Sequence, residues 1–161
     1  MNNELKEGIY KGCERCTTHS CCKKSAGGYF TPPWVLPIEA MKIKELVGDN
    51  IDFFENPKEG ETFGRMKRDA NEDCIFLTDE GCSLLDYRPY DCKLFPYEVL
   101  HTKDGYFLVI YKHVCPNNIT FDENYNRIIK LALQHSIPPY ALEENEILAG
   151  SYKILCKLPV I

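Results

Sequence analysis

The chain has 161 residues, a formal net charge of −5 and 44% hydrophobic residues. This length suits one compact domain with a hydrophobic core, and the composition is that of an ordinary globular protein. A net negative charge without a long basic run argues against a nucleic-acid partner and favours cation binding.

The N-terminus has no apolar segment after a basic start, so the sequence does not predict a signal peptide. The most apolar run, Tyr106–Tyr111, has six residues, whereas a membrane-spanning helix needs about 20. We therefore expect a cytoplasmic protein without a membrane partner, in a compartment where patterned cysteines indicate a metal site or catalysis. If the chain were secreted, four disulfides and one thiol would be the competing account of its nine cysteines.

The first cysteine group has four members within ten residues: Cys13, Cys16, Cys21 and Cys22. Cys13 and Cys16 form a CxxC motif, in which a tight turn presents two thiolates to one metal ion. The same motif serves thiol–disulfide exchange, but here it does not open a helix after a strand. A disulfide between the neighbours Cys21 and Cys22 would close a strained ring. The group therefore predicts metal ligation.

A helix is predicted from about Pro37 to Val47, because apolar residues recur there every three or four positions. Pro37 suits the first helical turn, and Gly48 suits the position just after the end. The apolar stripe is expected to cover the core, and we assign the helix no chemical role.

Two hairpins are predicted in the middle of the chain. The first has strands at Cys74–Thr78 and Cys82–Leu85 around a turn that contains Gly81. It would bring its two cysteines into one neighbourhood. The second has strands at Tyr97–Thr102 and Tyr106–Lys112 around a Lys-Asp-Gly turn.

The clearest helix is predicted from about Phe121 to Ser136, where Thr120 and Glu123 form a capping box. A further helical turn is expected near Leu142–Leu148. Together these elements predict a small single α+β domain, residues 1–161, with cysteine-bearing loops and hairpins packed beside two or three helices. Residues 117–161 are expected to form a C-terminal helical extension.

The second cysteine group is spread over a longer stretch and comprises Cys74, Cys82, Cys92 and Cys115. Eight thiolates would complete two four-thiolate zinc sites, or one 4Fe-4S cluster with four cysteines left for a second cluster or zinc. The spacing leaves open whether each group fills a site by itself or contributes ligands to both.

Two further residues are set apart from these ligands. Cys156 lies in an apolar stretch and is expected to be a core thiol. Arg88 lies within the second cysteine group, where it is expected to neutralise thiolate charge or donate a hydrogen bond to a cluster sulfur. A salt bridge with Asp86 or Asp91 is its alternative role.

The run from Cys74 to Pro96, with its C…GC…RPxxC…FP pattern, resembles the YkgJ-like cysteine-cluster family, described as a zinc- or iron-chelating domain. The first cysteine group looks like that family's CxxCxxCC element, although four residues precede the vicinal pair here. The similarity spans residues 13–116. It implies that the eight cysteines chelate iron or zinc, and it implies little about activity. Some relatives look like flagellin lysine methylases.

Three functions follow from these features. The first is a metal-binding protein that holds an iron–sulfur cluster or zinc and acts in redox chemistry, in sensing, or as an accessory to a modification enzyme. The second is a metal-dependent enzyme that modifies a protein or peptide, although the sequence has no glycine-rich fingerprint for a methyl donor. The third is a structural zinc module that binds a partner protein. The sequence thus leaves open whether the chain is an enzyme.

Overall fold

The protein is described from a computed structural model, which covers residues 22–23, 32–61, 63–112, 126, 129–130, 133, 142–143 and 152–159. Within these ranges it is an α+β protein with two helices and three small sheets. No described helix has the length and apolar character to cross a membrane. The chain divides into two compact units, Met1–Lys93 and Leu94–Ile161, and its organisation as a single domain stays a prediction.

The first unit is built from short elements. In chain order they are β1 (Trp34–Val35), α1 (Pro37–Val47), β2 (Phe54–Glu55), β3 (Gly64–Met66), β4 (Leu77–Thr78), β5 (Gly81–Cys82), a 3-10 turn at Leu85–Tyr87, and α2 (Tyr90–Leu94) at its end. β3 lies between β1 and β2 in an antiparallel sheet, and β4 pairs with β5.

Helix α1 has the predicted bounds, which confirms the sequence interpretation. Pro37 occupies the first turn, and Gly48 ends the helix with φ 77°, a conformation that glycine adopts without steric cost. Ala40 and Ile43 are buried, and Val47 packs against the same apolar cluster. The predicted stripe is therefore the face that covers the core of this unit.

That core joins the helix to the sheet and to the first hairpin. Its buried members are Val35, Ala40, Ile43, Phe53, Met66, Phe76 and Leu84. The rings of Phe53 and Phe76 lie 5.6 Å apart between centroids. Cys74 and Cys82, both half-buried, pack against this cluster, so the core holds two of the predicted ligands in place.

The second unit contains one four-stranded sheet in the order β8 (Leu142–Glu143), β6 (Tyr97–Thr102), β7 (Gly105–Tyr111) and β9 (Tyr152–Lys157). β6 and β7 form an antiparallel hairpin, β7 pairs antiparallel with β9, and β6 pairs parallel with β8. The buried residues of β6 and β7 are consecutive, Tyr97–Leu100 in β6 and Leu108 and Val109 in β7, so both faces of these strands are covered there.

Both predicted hairpins are confirmed, with shifted bounds. The first is shorter than predicted, because Leu77 already pairs with Cys82 and each strand has two residues. In the second, Gly105 begins β7 at φ 115° and pairs with Thr102, which leaves a two-residue turn.

Residues 117–161 were expected to form a helical extension, but they contain strands β8 and β9 as well as helical residues. Asn126, Ile129, Lys130 and Leu133 are helical, as predicted, and the rest of the predicted helix Phe121–Ser136 lies outside the described residues. The prediction of a helical turn near Leu142–Leu148 was wrong at its first two residues, because Leu142 and Glu143 form β8 against Leu100 and His101. Pairing with a distant strand outweighs the weak local helical signal there. The rest of that turn lies outside the described residues.

Candidate metal centre

Four of the eight predicted ligands lie within the described residues: Cys22, Cys74, Cys82 and Cys92. They come from four separate segments, of which the last two are β5 and α2. Cys13, Cys16, Cys21 and Cys115 lie outside the described residues. All four described members belong to the first compact unit.

The main chain joins Cys22 directly to Cys74. The N–H of Cys74 donates a hydrogen bond to the carbonyl oxygen of Cys22 at 2.8 Å. Cys74 also forms an isolated antiparallel bridge with Arg68. These contacts tie a residue of the N-terminal cysteine group to the second group, although the sequence leaves some 50 positions between them.

The loop before Cys74 is closed by one aspartate. The Oδ1 atom of Asp69 accepts hydrogen bonds from the N–H groups of Asn71 and Asp73, at 2.8 and 3.0 Å. The guanidinium of Arg68 donates to the carbonyl of Glu72, which has a left-handed φ of 63°. Asp69 thus substitutes side-chain acceptors for the backbone ladder that a regular hairpin would have.

Backbone N–H groups are directed at two of the sulfur atoms. The N–H of Phe76 donates to the sulfur of Cys74, and the N–H groups of Leu84 and Leu85 donate to the sulfur of Cys82. In both cases the first donor is two residues beyond the cysteine. Such donors stabilise a thiolate, the form of cysteine that binds metal.

Helix α2 presents Cys92 and is anchored by two carboxylates. Glu39 of α1 accepts the N–H of Tyr90 on Oε1 at 2.9 Å, and Asp91 accepts the N–H of Trp34 on Oδ2 at 2.8 Å. The second contact shows that the Asp91 carboxylate faces β1. These hydrogen bonds fix a helix that has only five residues.

The thiols lie close enough to influence one another's ionisation. Burial raises the pKa of Cys74 to about 11, and it also raises the pKa of Cys82 and, by a wider margin, that of Cys92. After burial, the charge of Asp91 raises the pKa of Cys92 further, and repulsion between the sulfur charges adds to the rise at all three thiols. Taken pair by pair, each of these thiols and Cys22 interacts with the other three. A positive charge among them would reverse this effect.

The four described thiols interact through their charges, but they are not spaced as ligands of a single metal ion. Within the described ranges, no three Cys, His, Asp or Glu side chains are spaced to hold one metal ion. Sulfur atoms on a tetrahedral zinc lie about 3.8 Å apart, given Zn–S bonds of about 2.3 Å, whereas charges interact over longer distances. The donor set itself, with half-buried thiols and N–H groups at sulfur, suits a thiophilic metal.

Arg88 acts on Cys82 through its charge, and its predicted role at the metal centre stays a prediction. Its guanidinium opposes the rise in the pKa of the Cys82 thiol. Nε donates to the carbonyl of Leu85 at 2.8 Å, and the buried Nη1 has no hydrogen-bond partner among the described residues. A buried guanidinium nitrogen requires an acceptor, and a metal-bound sulfur would supply one.

The sequence analysis did not predict a role for two residues of the first unit, Arg68 and Glu39. Arg68 lowers the pKa of Cys74 through its charge, although no local pattern marked it. Glu39 is buried on α1, the helix to which the sequence assigned no chemistry. Its signal was present, because Glu39 lies four positions before Ile43 on the apolar stripe, where a charged residue is unusual.

Cys156 lies in the second unit, on β9 opposite Leu108. It is half-buried, rather than a fully buried core thiol. It is paired with β7 at the position where the register of the two strands shifts, a setting unlike that of the four cysteines of the first unit.

Comparison with known proteins identifies the family. No curated protein and no solved structure matches the chain. The family model CxxCxxCC, described as "Putative zinc- or iron-chelating domain", matches residues 12–116, which is more than half of the chain. The matched region contains all eight predicted ligands and excludes Cys156. The chain therefore belongs to the CxxCxxCC family of zinc- or iron-chelating domains.

Proposed function

We propose that this protein holds an iron–sulfur cluster or zinc through cysteine thiolates, and that eight cysteines are the ligands. Cys22, Cys74, Cys82 and Cys92 form the described part of the centre, and Cys13, Cys16, Cys21 and Cys115 complete it. The observation that carries the proposal is the hydrogen bond from the N–H of Cys74 to the carbonyl of Cys22 at 2.8 Å, which joins the two cysteine groups, together with the packing of Cys74 and Cys82 on one apolar cluster.

The energetics of the thiols favour this function over a purely structural one. Burial and mutual repulsion both disfavour the thiolate form of Cys74, Cys82 and Cys92, yet backbone N–H groups are directed at the sulfurs of the first two. Donors aimed at sulfur are of little use to a neutral thiol, which accepts hydrogen bonds weakly. They become favourable when a cation converts the thiols to thiolates.

Arg88 is proposed to complete the surroundings of the centre. Its Nη1 atom is buried without a partner among the described residues, and its charge acts on Cys82. A hydrogen bond from Nη1 to a ligand sulfur would satisfy this nitrogen and withdraw negative charge from the centre. In an iron–sulfur protein, such a bond raises the reduction potential.

A 4Fe-4S cluster is our first choice of cofactor, and zinc is the alternative. The apolar cluster on which Cys74 and Cys82 pack limits the access of water to their sulfurs, and such a shell tunes the potential of a redox centre. We propose a cytoplasmic role in electron transfer, in sensing, or in support of a partner protein that modifies its substrate.

The decisive experiment is the purification of the full chain without oxygen, followed by counts of iron, zinc and inorganic sulfide and by a visible spectrum. Iron and sulfide in equal amounts, with visible absorption, would establish the cluster. Zinc without sulfide would exclude the cluster and retain thiolate chelation. A chain that carries neither metal would contradict the proposal.

A matched pair of variants tests the assignment of the ligands. Cys82→Ser should lose at least half of the bound metal, because it removes one of the gathered thiols. Cys156→Ser should keep the metal content of the wild type, since this cysteine lies outside the proposed ligand set. Loss of metal in both variants, or in neither, would contradict the partition of the cysteines.

A further inference from the structure

The buried carboxylate of Glu39 connects two parts of the first unit. Its Oε2 atom accepts the N–H of Leu36 at 3.0 Å, at the start of its own helix, and Oε1 accepts the N–H of Tyr90 at 2.9 Å. Tyr90 is the first residue of α2 and stands 51 positions away in the chain. One side chain therefore fixes the start of both helices.

Helix α2 depends on such external contacts for its position. It has five residues, which is little more than one turn and too short to be stable by itself. Two of its contacts within the first unit are the hydrogen bond from Tyr90 to Glu39 and the hydrogen bond from Trp34 to Asp91. Both fasten the first turn of α2, where Cys92 is the third residue.

We propose that Glu39 is a positioning residue for the metal centre, which sets the place of Cys92 through the backbone of α2. The inference rests on the function proposed above. Cys74 and Cys82 are held differently, because they pack directly on the apolar core. A change at Glu39 should therefore disturb one ligand and spare two.

Glutamine at position 39 could keep only one of the two hydrogen bonds that the carboxylate accepts. Both oxygens of Glu39 accept an N–H, whereas a glutamine amide offers one accepting oxygen and one donating NH₂ group. Either Leu36 or Tyr90 would then face a second donor. Glu39→Gln thus removes the hydrogen bond to one helix start with almost no change in side-chain volume.

The test compares Glu39→Gln with Glu45→Gln, which makes the same change at an exposed position of the same helix. The anaerobically purified, metal-loaded chains are treated with iodoacetamide, and mass spectrometry of peptides measures the alkylation rate at Cys74, Cys82 and Cys92. In Glu39→Gln we expect Cys92 to react about tenfold faster than in the wild type, with little change at the other two. In Glu45→Gln all three rates should stay at the wild-type value.

A purely structural role for Glu39 would give another result. If the variant only lowers global stability, the three cysteines should become reactive together, and that outcome would overturn the inference. The milder variant Glu39→Asp covers the case in which Glu39→Gln does not fold. It keeps the charge but is too short to reach both N–H groups, so the selective effect at Cys92 should recur at a smaller size, and its absence would also reject the inference.

Failure of the proposed function is recognised separately. In the wild type, the as-purified chain should be alkylated more slowly at all three cysteines than the same chain after treatment with a chelator. Equal rates before and after the chelator would contradict metal ligation itself, and the positioning role would fall with it. If metal protects the three cysteines of the wild type but Glu39→Gln does not increase the alkylation rate of Cys92 selectively, the positioning role of Glu39 is rejected and metal ligation is retained.

Discussion

The two compact units satisfy their backbone hydrogen-bonding groups in different ways. Strands β6, β7 and β9 of the second unit have six or seven residues, whereas those of the first have two or three. In the second unit, a regular ladder satisfies most backbone groups along its strands. In the first, individual side chains do so: Glu39, Asp69, Ser83 and Asp91 each accept or donate a hydrogen bond to the backbone.

This difference shows where metal would matter most. Two-residue strands contribute little stability by themselves, and the core of the first unit rests partly on half-buried cysteines. A bound cation would crosslink the four segments that carry the thiols. The second unit has longer strands that pair along their length, and its sheet buries apolar residues together with one carboxylate, Glu98. It needs no such crosslink, so the first unit should be the one that depends on the metal.

Metal removal should therefore produce the largest difference in stability between the two units. Structural zinc sites contribute about 10–16 kcal/mol of apparent binding energy, far more than any single contact in the first unit. After chelation, we expect backbone amides between Cys74 and Cys92 to lose protection from hydrogen exchange, while amides of β6 and β7 keep theirs. Equal loss in both units would show that their stabilities are not separable.

The pH should act on the metal affinity in the same unit. The pKa of Cys74 is about 11 without metal, and those of Cys82 and Cys92 are also raised, so each of the three thiols must release a proton when it binds. Since the protonated form dominates below these raised values, affinity should rise with pH. The expected rise is at least about a thousandfold per pH unit between about pH 6 and pH 8, which is tenfold for each of these three thiols, and the other proposed ligand cysteines should add to it in the same way.

Competition with a chromophoric chelator at several pH values measures this slope, and proton release into a weak buffer provides a second count. Cys156→Ser is the control. Burial raises the pKa of Cys156 too, but it is not a proposed ligand, so the variant should keep the slope. An affinity that does not change with pH would contradict thiolate ligation.

Truncation of one buried side chain in each unit should show which of the two cores supports metal binding. Ile43 and Leu108 are both completely buried, one in each unit. Ile43→Ala and Leu108→Ala should each lower the free energy of unfolding by about 2–5 kcal/mol, because each leaves a cavity. Only Ile43→Ala should also weaken metal binding, since Ile43 belongs to the cluster on which Cys74 and Cys82 pack.

Thermal unfolding and a metal-competition assay on both variants decide the matter. If Leu108→Ala weakens metal binding as much as Ile43→Ala, the two cores do not act separately on the centre. If neither variant affects the metal, the packing of the two cysteines on the core does not position them.

The sequence predicted the elements whose signals are local. The bounds of α1 followed from its apolar period and from Pro37 and Gly48, and the second hairpin followed from a turn between two apolar runs. The neighbourhood of Cys74 and Cys82 also followed from a turn signal. The family, too, was recognised from the spacing of its cysteines.

What could not be predicted depends on contacts between distant residues. The bond from Tyr90 to Glu39 spans 51 positions, and the bond from Trp34 to Asp91 spans 57. Neither leaves a periodic trace, because each pairs a backbone N–H of one segment with a carboxylate of another. The strand at Leu142 was missed for the same reason, since its partner in β6 outweighs its own local preference.

The smallest expected effect concerns Arg88, whose setting differs from that of Arg65 in the same unit. The guanidinium carbon of Arg65 lies over the ring of Trp34 at 3.7 Å from its centroid, whereas Nη1 of Arg88 is buried without a partner among the described residues. Arg88→Gln and Arg65→Gln therefore make the same change of charge in two unlike settings.

Removal of Arg88 should weaken metal binding about tenfold, because a ligand sulfur would lose both a hydrogen bond and a neighbouring positive charge. Arg65→Gln should leave the affinity within about twofold of the wild type, since Arg65 is not among the charges that act on Cys74, Cys82 or Cys92. If the centre is an iron–sulfur cluster, Arg88→Gln should also lower its reduction potential, which voltammetry measures. An equal loss of affinity in both variants would mean that Arg88 contributes only to net charge. Arg88→Lys separates the contribution of the hydrogen bond from that of the charge, because lysine keeps the positive charge but not the planar fork of donors. If Nη1 donates to sulfur, the reduction potential of Arg88→Lys should lie between those of Arg88→Gln and the wild type. If charge alone matters, it should equal that of the wild type.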